Sequence, residues 1–296
     1  MIHILDLQFQ VSESIAAFIY ETSEGPVLVE CGPHSTWSNL VFGIEEAGFK
    51  VEDIKHLFLT HIHFDHAGAA WALAEKGATV YVHPVGYPHM LNPTKLYDSA
   101  KRIYGDMMET LWGIMKEIPE NQLISVEDGQ EITVGDTTFK ALFTPGHATH
   151  HIAWQVGKDI FAGDVAGARI GEGGPVVPPC PPPDINIEHW QASIKLLKSL
   201  EPETFYITHF GKVTDPIPHL NDLEKRLVKY ANWMKPHYEA GKKPPEVVPD
   251  FQAYVTQEMR DIGLTDEQIG IYETANPSYM SVAGLIRYWR KKLSPR

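Results

Sequence analysis

The sequence predicts an α/β layered domain followed by a helical tail, and three stretches carry that prediction. The apolar run Ile54–Leu59 reads as a buried strand that feeds a polar turn, Thr60–Gly68, and then a helix over Ala67–Glu75. Strand and helix alternate around this unit with crossovers of the length that layered α/β domains use. Further on, Leu123–Val126, Glu131–Val134 and Thr138–Phe143 are separated by the turns Glu127-Asp128-Gly129 and Gly135-Asp136, an antiparallel meander pattern. A chain of 296 residues, 43% hydrophobic and 21% charged, is large enough to bury a sizeable core in one or two domains.

From the start of the chain, His3–Val11 and Ser14–Tyr20 read as strands, and Glu24-Gly25-Pro26 punctuates before Val27-Leu28-Val29. Trp37, Leu40, Val41 and Ile44 share one face of a helix over Trp37–Ala47 that stops at Gly48. A strand over Ala78–Val82 follows the helix after the polar turn Thr60–Gly68. From Tyr87 to Glu117, Met and aromatic residues recur at helical spacing. They either pack a helical pair on the core or supply an adaptable apolar wall to a binding site. Ile152–Val156 and Asp159–Ala162 are short strands. Six prolines within Gly171–Pro183 exclude helix and central strand and favour a stiff extended loop, a candidate pocket rim.

A helix over Ile187–Leu200 and a strand over Thr204–Ile207 come next. The rest reads as a helix over Leu220–Met234, a basic, Pro-rich loop over Gly241–Pro249, a short helix over Val255–Ile262, an N-cap at Thr265 and a last helix over Tyr279–Lys292. This tail is left with three roles: packing on the core, capping the site, or forming a homodimer interface.

Chemistry concentrates in the turn Thr60-His61-Ile62-His63-Phe64-Asp65-His66-Ala67-Gly68. Four ligand-type residues, His61, His63, Asp65 and His66, fall within six positions at the end of a strand. Such a turn splays successive side chains, so imidazoles two apart can grip one ion while Asp65 and His66 turn to another. His-rich loops also occur as solvated surface, but this spacing before a Gly favours a metal of the kind that takes His and carboxylate ligands.

With that His-x-His-x-Asp-His motif the chain resembles the metallo-β-lactamase-fold hydrolases, and most of all their glyoxalase II and lactonase-like branch. The resemblance implies a four-layer αββα fold over residues 1–213, a helical insertion at about 87–118, and a C-terminal helical extension over 214–296 packed on the core. Thr144-Pro145-Gly146-His147 matches the family's third motif. Gly163-Asp164 carries no signal alone but matches the fourth in order, and His209 in Thr208-His209-Phe210-Gly211 matches the last ligand. By resemblance, His61, His63 and His147 hold one metal, Asp65, His66 and His209 hold a second, and Asp164 bridges them. The implied cofactor is two divalent ions per chain, zinc first, with iron or manganese as alternatives.

Glu30 stands where the family carries an Asp that buttresses the ligand loop, and similar work is expected of it. Cys31 reads as a small buried thiol. His150 and His151 are additional, with structural and site-facing roles both open. The implied nucleophile is a hydroxide held between the metals, because a metal lowers the pKa of bound water from ~15.7 to about 7. Asp65 is the expected catalytic residue, accepting a hydrogen bond from that hydroxide. Phe64, Tyr97, Tyr104 and Met108 are the expected substrate contacts, with Tyr87 a further candidate among the tyrosines.

A net charge of −13 argues against a nucleic-acid partner, whose phosphates need Lys and Arg. The basic cluster Arg287, Lys291, Lys292 and Arg296 reads as a solvated helix end. No run approaches the ~18 apolar residues of a membrane span. Met1–Asp6 lacks signal-peptide character, and two cysteines do not make a disulfide framework, so a cytoplasmic protein with a small-molecule substrate is expected. No Gly-x-Ser-x-Gly elbow is present. The preferred reading is a hydrolase of an ester, lactone or thioester with an apolar portion. An iron-dependent oxidoreductase resembling persulfide dioxygenases and a metal-binding regulatory protein with weak esterase or thioesterase activity are the alternatives. For thioesters of glutathione, the tail offers Lys242, Lys243, Arg287, Lys291 and Lys292 as basic residues, none of them in a matching motif.

Overall fold

A computed structural model describes residues 1–294 and shows two six-stranded sheets packed face to face. The first holds β1 (Ile2–Asp6), β2 (Ala16–Thr22), β3 (Gly25–Val29), β4 (His56–Phe58), β5 (Thr79–Val82) and β6 (Leu123–Ser125) in that order. Its first three strands are antiparallel, and the pairs from β3 to β6 are parallel. The second holds β7 (Glu131–Val134), β8 (Thr137–Phe143), β9 (Ile152–Val156), β10 (Asp159–Phe161), β11 (Thr204–Ile207) and β12 (Gly211–Val213). Only the β10–β11 pair in it is parallel.

Both faces of each sheet are buried, and the strand period of two sorts residues between them. Phe18, Val27, Val29 and Phe58 of the first sheet meet Phe139, Trp154, Phe161 and Tyr206 of the second. The alternate residues Ala17, Ile19, Leu28 and Leu57 face outward onto α1 (Trp37–Glu46) and α3 (Ala70–Glu75). Leu142, Ile160, Phe205 and Ile207 face the other way, onto α7 (Ile187–Ser199) and the tail helices. Together these make the four-layer αββα arrangement.

The insertion folds as α4 (Tyr87–Leu91), α5 (Thr94–Tyr104) and α6 (Met108–Trp112). The tail is α8 (Pro216–Glu239), α9 (Pro244–Asp261), α10 (Asp266–Ala275) and α11 (Ser278–Leu293), and it shares one hydrophobic cluster with the second sheet. The Thr265 side chain caps α10, accepting from the Gln268 N–H. Among the described residues no helix is long and apolar enough to cross a membrane.

Several elements differ from the sequence reading. The segment Leu123–Val126 does not start the meander: β6 pairs in parallel with β5, and the chain changes sheet before β7. The first strand ends at Asp6, not Val11, because the Asp6 carboxylate accepts from the Gln8 and Glu13 N–H groups at 2.9 and 3.0 Å and closes a loop. The presumed loop Gly241–Pro249 is helical from Pro244. Pro244 and Pro245 occupy first-turn positions whose N–H groups need no helical partner. Val247, Phe251, Val255 and Met259 then bury one stripe, which outweighs the internal Pro249. The C-terminal basic cluster is exposed, as expected of a helix end, but it also makes contacts: Arg287 and Lys291 donate to the Pro183 carbonyl at 3.2 and 2.7 Å and anchor the proline-rich loop, and Lys292 pairs with Glu188 of α7. Arg296 lies outside the described residues.

Candidate metal centre and cavity

Every side chain of the candidate centre projects from a strand end or the turn after it. The stretch after β4 carries His61 and His63, and the short helix α2 (Phe64–Ala67) carries Asp65 and His66, so the helix starts within the ligand motif rather than after it. His147 follows β8, Asp164 follows β10 and His209 lies between β11 and β12. Gly163 permits the close approach there, since a Cβ on it would fall 2.6 Å from Thr60 Oγ1 at a φ of +49°.

Three groups result whose ligand atoms lie within 4.8 Å of one another: His61, His63 and His147; His61, His66 and Asp164; Asp65, His66 and His209. In the first, His63 Nδ1 lies 2.9 Å from His61 Nε2 and 3.1 Å from His147 Nε2. In the third, Asp65 Oδ2 lies 3.7 Å from His66 Nε2 and 3.4 Å from His209 Nε2. Asp164 reaches both sides, with Oδ2 3.4 Å from His147 Nε2 and Oδ1 3.3 and 3.6 Å from His66 and His209 Nε2.

The donor set fits metal ions. Four ligands at ~2.05 Å around zinc sit roughly 3.3 Å apart, the spacing seen here. His66 Nε2 and Asp164 Oδ1 are buried 3.3 Å apart without a hydrogen bond, so both atoms are available to a cation.

The outer nitrogens fix how the rings point. His147 Nδ1 faces the Pro179 carbonyl at 2.8 Å and His209 Nδ1 the Ser14 carbonyl at 2.6 Å, so each carries its proton there and turns the Nε2 lone pair inward. His61 Nδ1 lies 3.0 Å from Thr60 Oγ1, whose hydroxyl pairs with Glu30. Glu30 Oε1 also holds His66 Nδ1 at 3.1 Å, so it ties down both Thr60 and His66. Cys31 next to it donates its N–H to the His66 carbonyl at 3.0 Å; burial, then the Glu30 charge, pushes its thiol well up, which leaves it inert.

The two extra histidines divide. His151 is held by Thr144 Oγ1 at 2.9 Å and the Val165 N–H at 3.3 Å, a structural role. His150 lines the cavity beside His63 and is held neutral, its pKa pushed down to about 3 chiefly by burial.

Electrostatics show what the centre favours. Burial lowers His63 to about 3, and it lowers His61 and His147 as well, so these imidazoles are neutral and able to ligate. His66 and His209 go the other way: burial opposes their charge, but Asp164, Asp65 and, for His66, Glu30 outweigh it and raise both. The carboxylates thus demand positive charge, supplied by protons on these two rings until a cation replaces them. At pH 6.5 metal loading is therefore expected to release protons, and affinity to fall as pH is lowered further. Calorimetric titration in buffers of different ionisation heat measures this; heats independent of buffer would contradict it.

The centre forms the floor of a cavity of about 730 Å³. Phe9, Phe64, Leu96, Ile103, Tyr104 and Trp112 wall it, with Phe9 stacked on Trp112 at 5.2 Å. Phe64 and Tyr104 therefore reach the cavity. Tyr97 and Met108, expected at the substrate, pack behind this wall with Phe64 and Ala100, because the buried side of the insertion needs apolar residues as much as its cavity side does. Tyr87 packs with the core cluster of the first sheet. Pro179, Pro181, Pro182 and Pro183 form one rim, and Thr274–Met280, from the end of α10 to the first turn of α11, forms another. The tail thus takes part in the site through a segment that no motif marked.

Comparison with known proteins places this architecture. The sequence profile of the metallo-beta-lactamase superfamily matches residues 13–209. The chain belongs to that superfamily. Among relatives, the metallo-beta-lactamase fold-containing protein ST1585 of Sulfurisphaera tokodaii is 30% identical over 171 residues, 56% of this chain and 64% of that one. An atrochrysone carboxyl ACP thioesterase of Aspergillus fumigatus is 26% identical over 210 residues, 70% of this chain but 40% of the fungal protein. The chain thus spans less than two thirds of either relative's length. Among solved structures, the metallo-beta-lactamase family protein TTHA1429 from Thermus thermophilus superimposes with a TM-score of 0.73 at 18% identity, over 98% of this chain and 93% of that one. The shared fold therefore extends through the helical tail.

Proposed function

We propose that this superfamily member is a hydrolase dependent on two divalent metal ions that cleaves an ester, lactone or thioester bond of a small molecule with an apolar portion. The observation that carries the reading is Asp164 spanning two ligand groups on the floor of an apolar cavity. His61, His63 and His147 would hold one ion, Asp65, His66 and His209 the other, with Asp164 between them, and zinc is the first candidate. When bound, such ions supply Lewis acidity and lower the pKa of a water from ~15.7 toward about 7.

The chain's own groups do the rest. Burial would raise the Asp65 carboxyl, but the His66 charge and the His209 hydrogen bond hold it down at about 2. It therefore stays ionised, and from the cavity floor it can accept a hydrogen bond from a water and orient it. Burial, then the nearby Tyr279 and Asp65, raises the Tyr104 phenol, which stays protonated, and Tyr279 lines the same cavity. That pair presents a donor toward a substrate carbonyl. The thioesterase named among the relatives and the glyoxalase II resemblance both point to the thioester as one of the three bonds, while the lactonase resemblance supports the lactone and ester.

Metal content measured on protein purified without chelator is the first test, with two ions per chain expected. A single iron per chain with oxygen uptake on thiol or persulfide substrates would overturn the hydrolase. Asp65→Ala is expected to lower kcat/KM by ~10²–10⁴; near-normal turnover would remove Asp65 from its role. Across a panel of acyl esters kcat/KM is expected to climb with chain length, by ~0.8 kcal/mol per buried methylene. A flat panel would separate the apolar wall from the substrate.

A further inference from the structure

We propose that the cavity mouth carries an anion subsite formed by Lys95 and Arg102, so that the substrate bears a carboxylate or phosphate at the end remote from its scissile carbonyl. The assignment of a scissile carbonyl rests on the hydrolase reading; the anion subsite itself does not.

Lys95, Ser99 and Arg102 stand at i, i+4 and i+7 on α5 and all line the cavity. Residues so spaced share one helix face. Two turns separate the cations by ~10.5 Å along the axis, a gap that two flexible stems can close around one anion. Beneath them the wall is apolar, and the centre lies at the floor, so the cavity is polar at both ends and greasy between.

The charge balance sharpens this. The chain has 38 acidic residues against 25 basic ones, yet among the described residues neither Lys95 nor Arg102 makes an ion pair with a carboxylate. The carboxylates lining the cavity are Asp65 and Asp164 at the centre and Asp184, which the Thr149 hydroxyl engages at 3.0 Å. Asp98, between Lys95 and Arg102 on the same helix, does not line the cavity, so away from the centre the lining carries two cations against one carboxylate, a balance that draws an anionic group toward those two side chains. Lys101 is next to Arg102 on the same helix but does not line the cavity.

Among the described residues, no basic side chain of the tail lines the cavity. Arg287, Lys291 and Lys292 are spent on the proline-rich loop and Glu188, and Lys242 faces Asp250.

The test has two arms on metal-loaded protein. Octanesulfonate, a poor metal ligand with an anionic head, is titrated calorimetrically into wild type, Lys95→Ala/Arg102→Ala and Lys101→Ala. Binding about tenfold weaker in the double variant and unaltered in Lys101→Ala is expected, the loss of two exposed charge contacts. Equal binding by wild type and double variant, or an equal loss in Lys101→Ala, overturns the subsite. In the second arm, esters of one acyl length ending in a methyl, a carboxylate or a phosphate are compared by kcat/KM. An advantage for a charged terminus that collapses about tenfold in the double variant supports the proposal, and the better of the two heads identifies the source of the anion. Turnover of all three esters at equal rates overturns it while leaving the hydrolase intact. If no ester turns over but the octanesulfonate difference holds, the hydrolase reading falls and the anion subsite stands.

Discussion

Asp164→Ala is expected to strip both tightly bound ions from the protein and take hydrolysis with them. The carboxylate is buried, and its two oxygens face different ligand groups, at 3.4 Å from His147 on one side and 3.3 and 3.6 Å from His66 and His209 on the other. Two cations held by these neighbouring groups would repel, and the Asp164 carboxylate would offset that repulsion and favour joint occupancy. Without metal the loss also counts, because His66 keeps its proton chiefly through Asp164 and Asp65, and breaking such a buried pair costs about 3–5 kcal/mol. Metal content after desalting is the measurement, run beside Asp164→Asn, which preserves shape and removes charge. Two retained ions in either variant would refute the bridging position.

How much of this was legible in the sequence varied residue by residue. The His61-to-His66 cluster declared itself, since four ligand-type side chains crowded at one strand end seldom occur without an ion to hold. Asp164 did not: Gly-Asp is common, and only its order after His147 within a family pattern gave it meaning. Strand positions followed from period-two alternation, yet the sheet to which Leu123–Ser125 belongs could not follow from it, because a strand's own pattern does not name its partner. The first turn of α9 was hidden by prolines that break helices elsewhere but begin them well. Lys95, Arg102 and Thr274–Met280 left no periodic or motif signal. They matter through proximity to residues far away in the chain, which only the fold supplies.

That dependence on distant contacts makes a second large effect testable at Gly284, in the middle of α11. A Cβ there would lie 1.9 Å from the Cys180 carbonyl oxygen and 2.9 Å from the carbonyl carbons of Cys180 and Pro181. These are backbone atoms of the proline-rich loop, also pinned by Ser281, Asn276, Arg287 and Lys291, so no flexible side-chain end can give way. Gly284→Ala is expected to destabilise the protein by about 3 kcal/mol, lowering Tm by roughly 5–10 °C. Helix propensity alone predicts the opposite sign, a gain of ~1 kcal/mol. Gly270→Ala in α10, where a Cβ would meet nothing within 4 Å, is expected to show that gain and serves as the matched control. The same loop supplies the Pro179 carbonyl that orients His147. Displacing it should weaken the His61–His63–His147 group while Asp65, His66 and His209 keep their arrangement, giving one weak and one tight ion in a metal titration. A Gly284→Ala protein as stable as wild type would mean that α11 is not seated on the loop, and the tail would then have no physical hold on the metal centre.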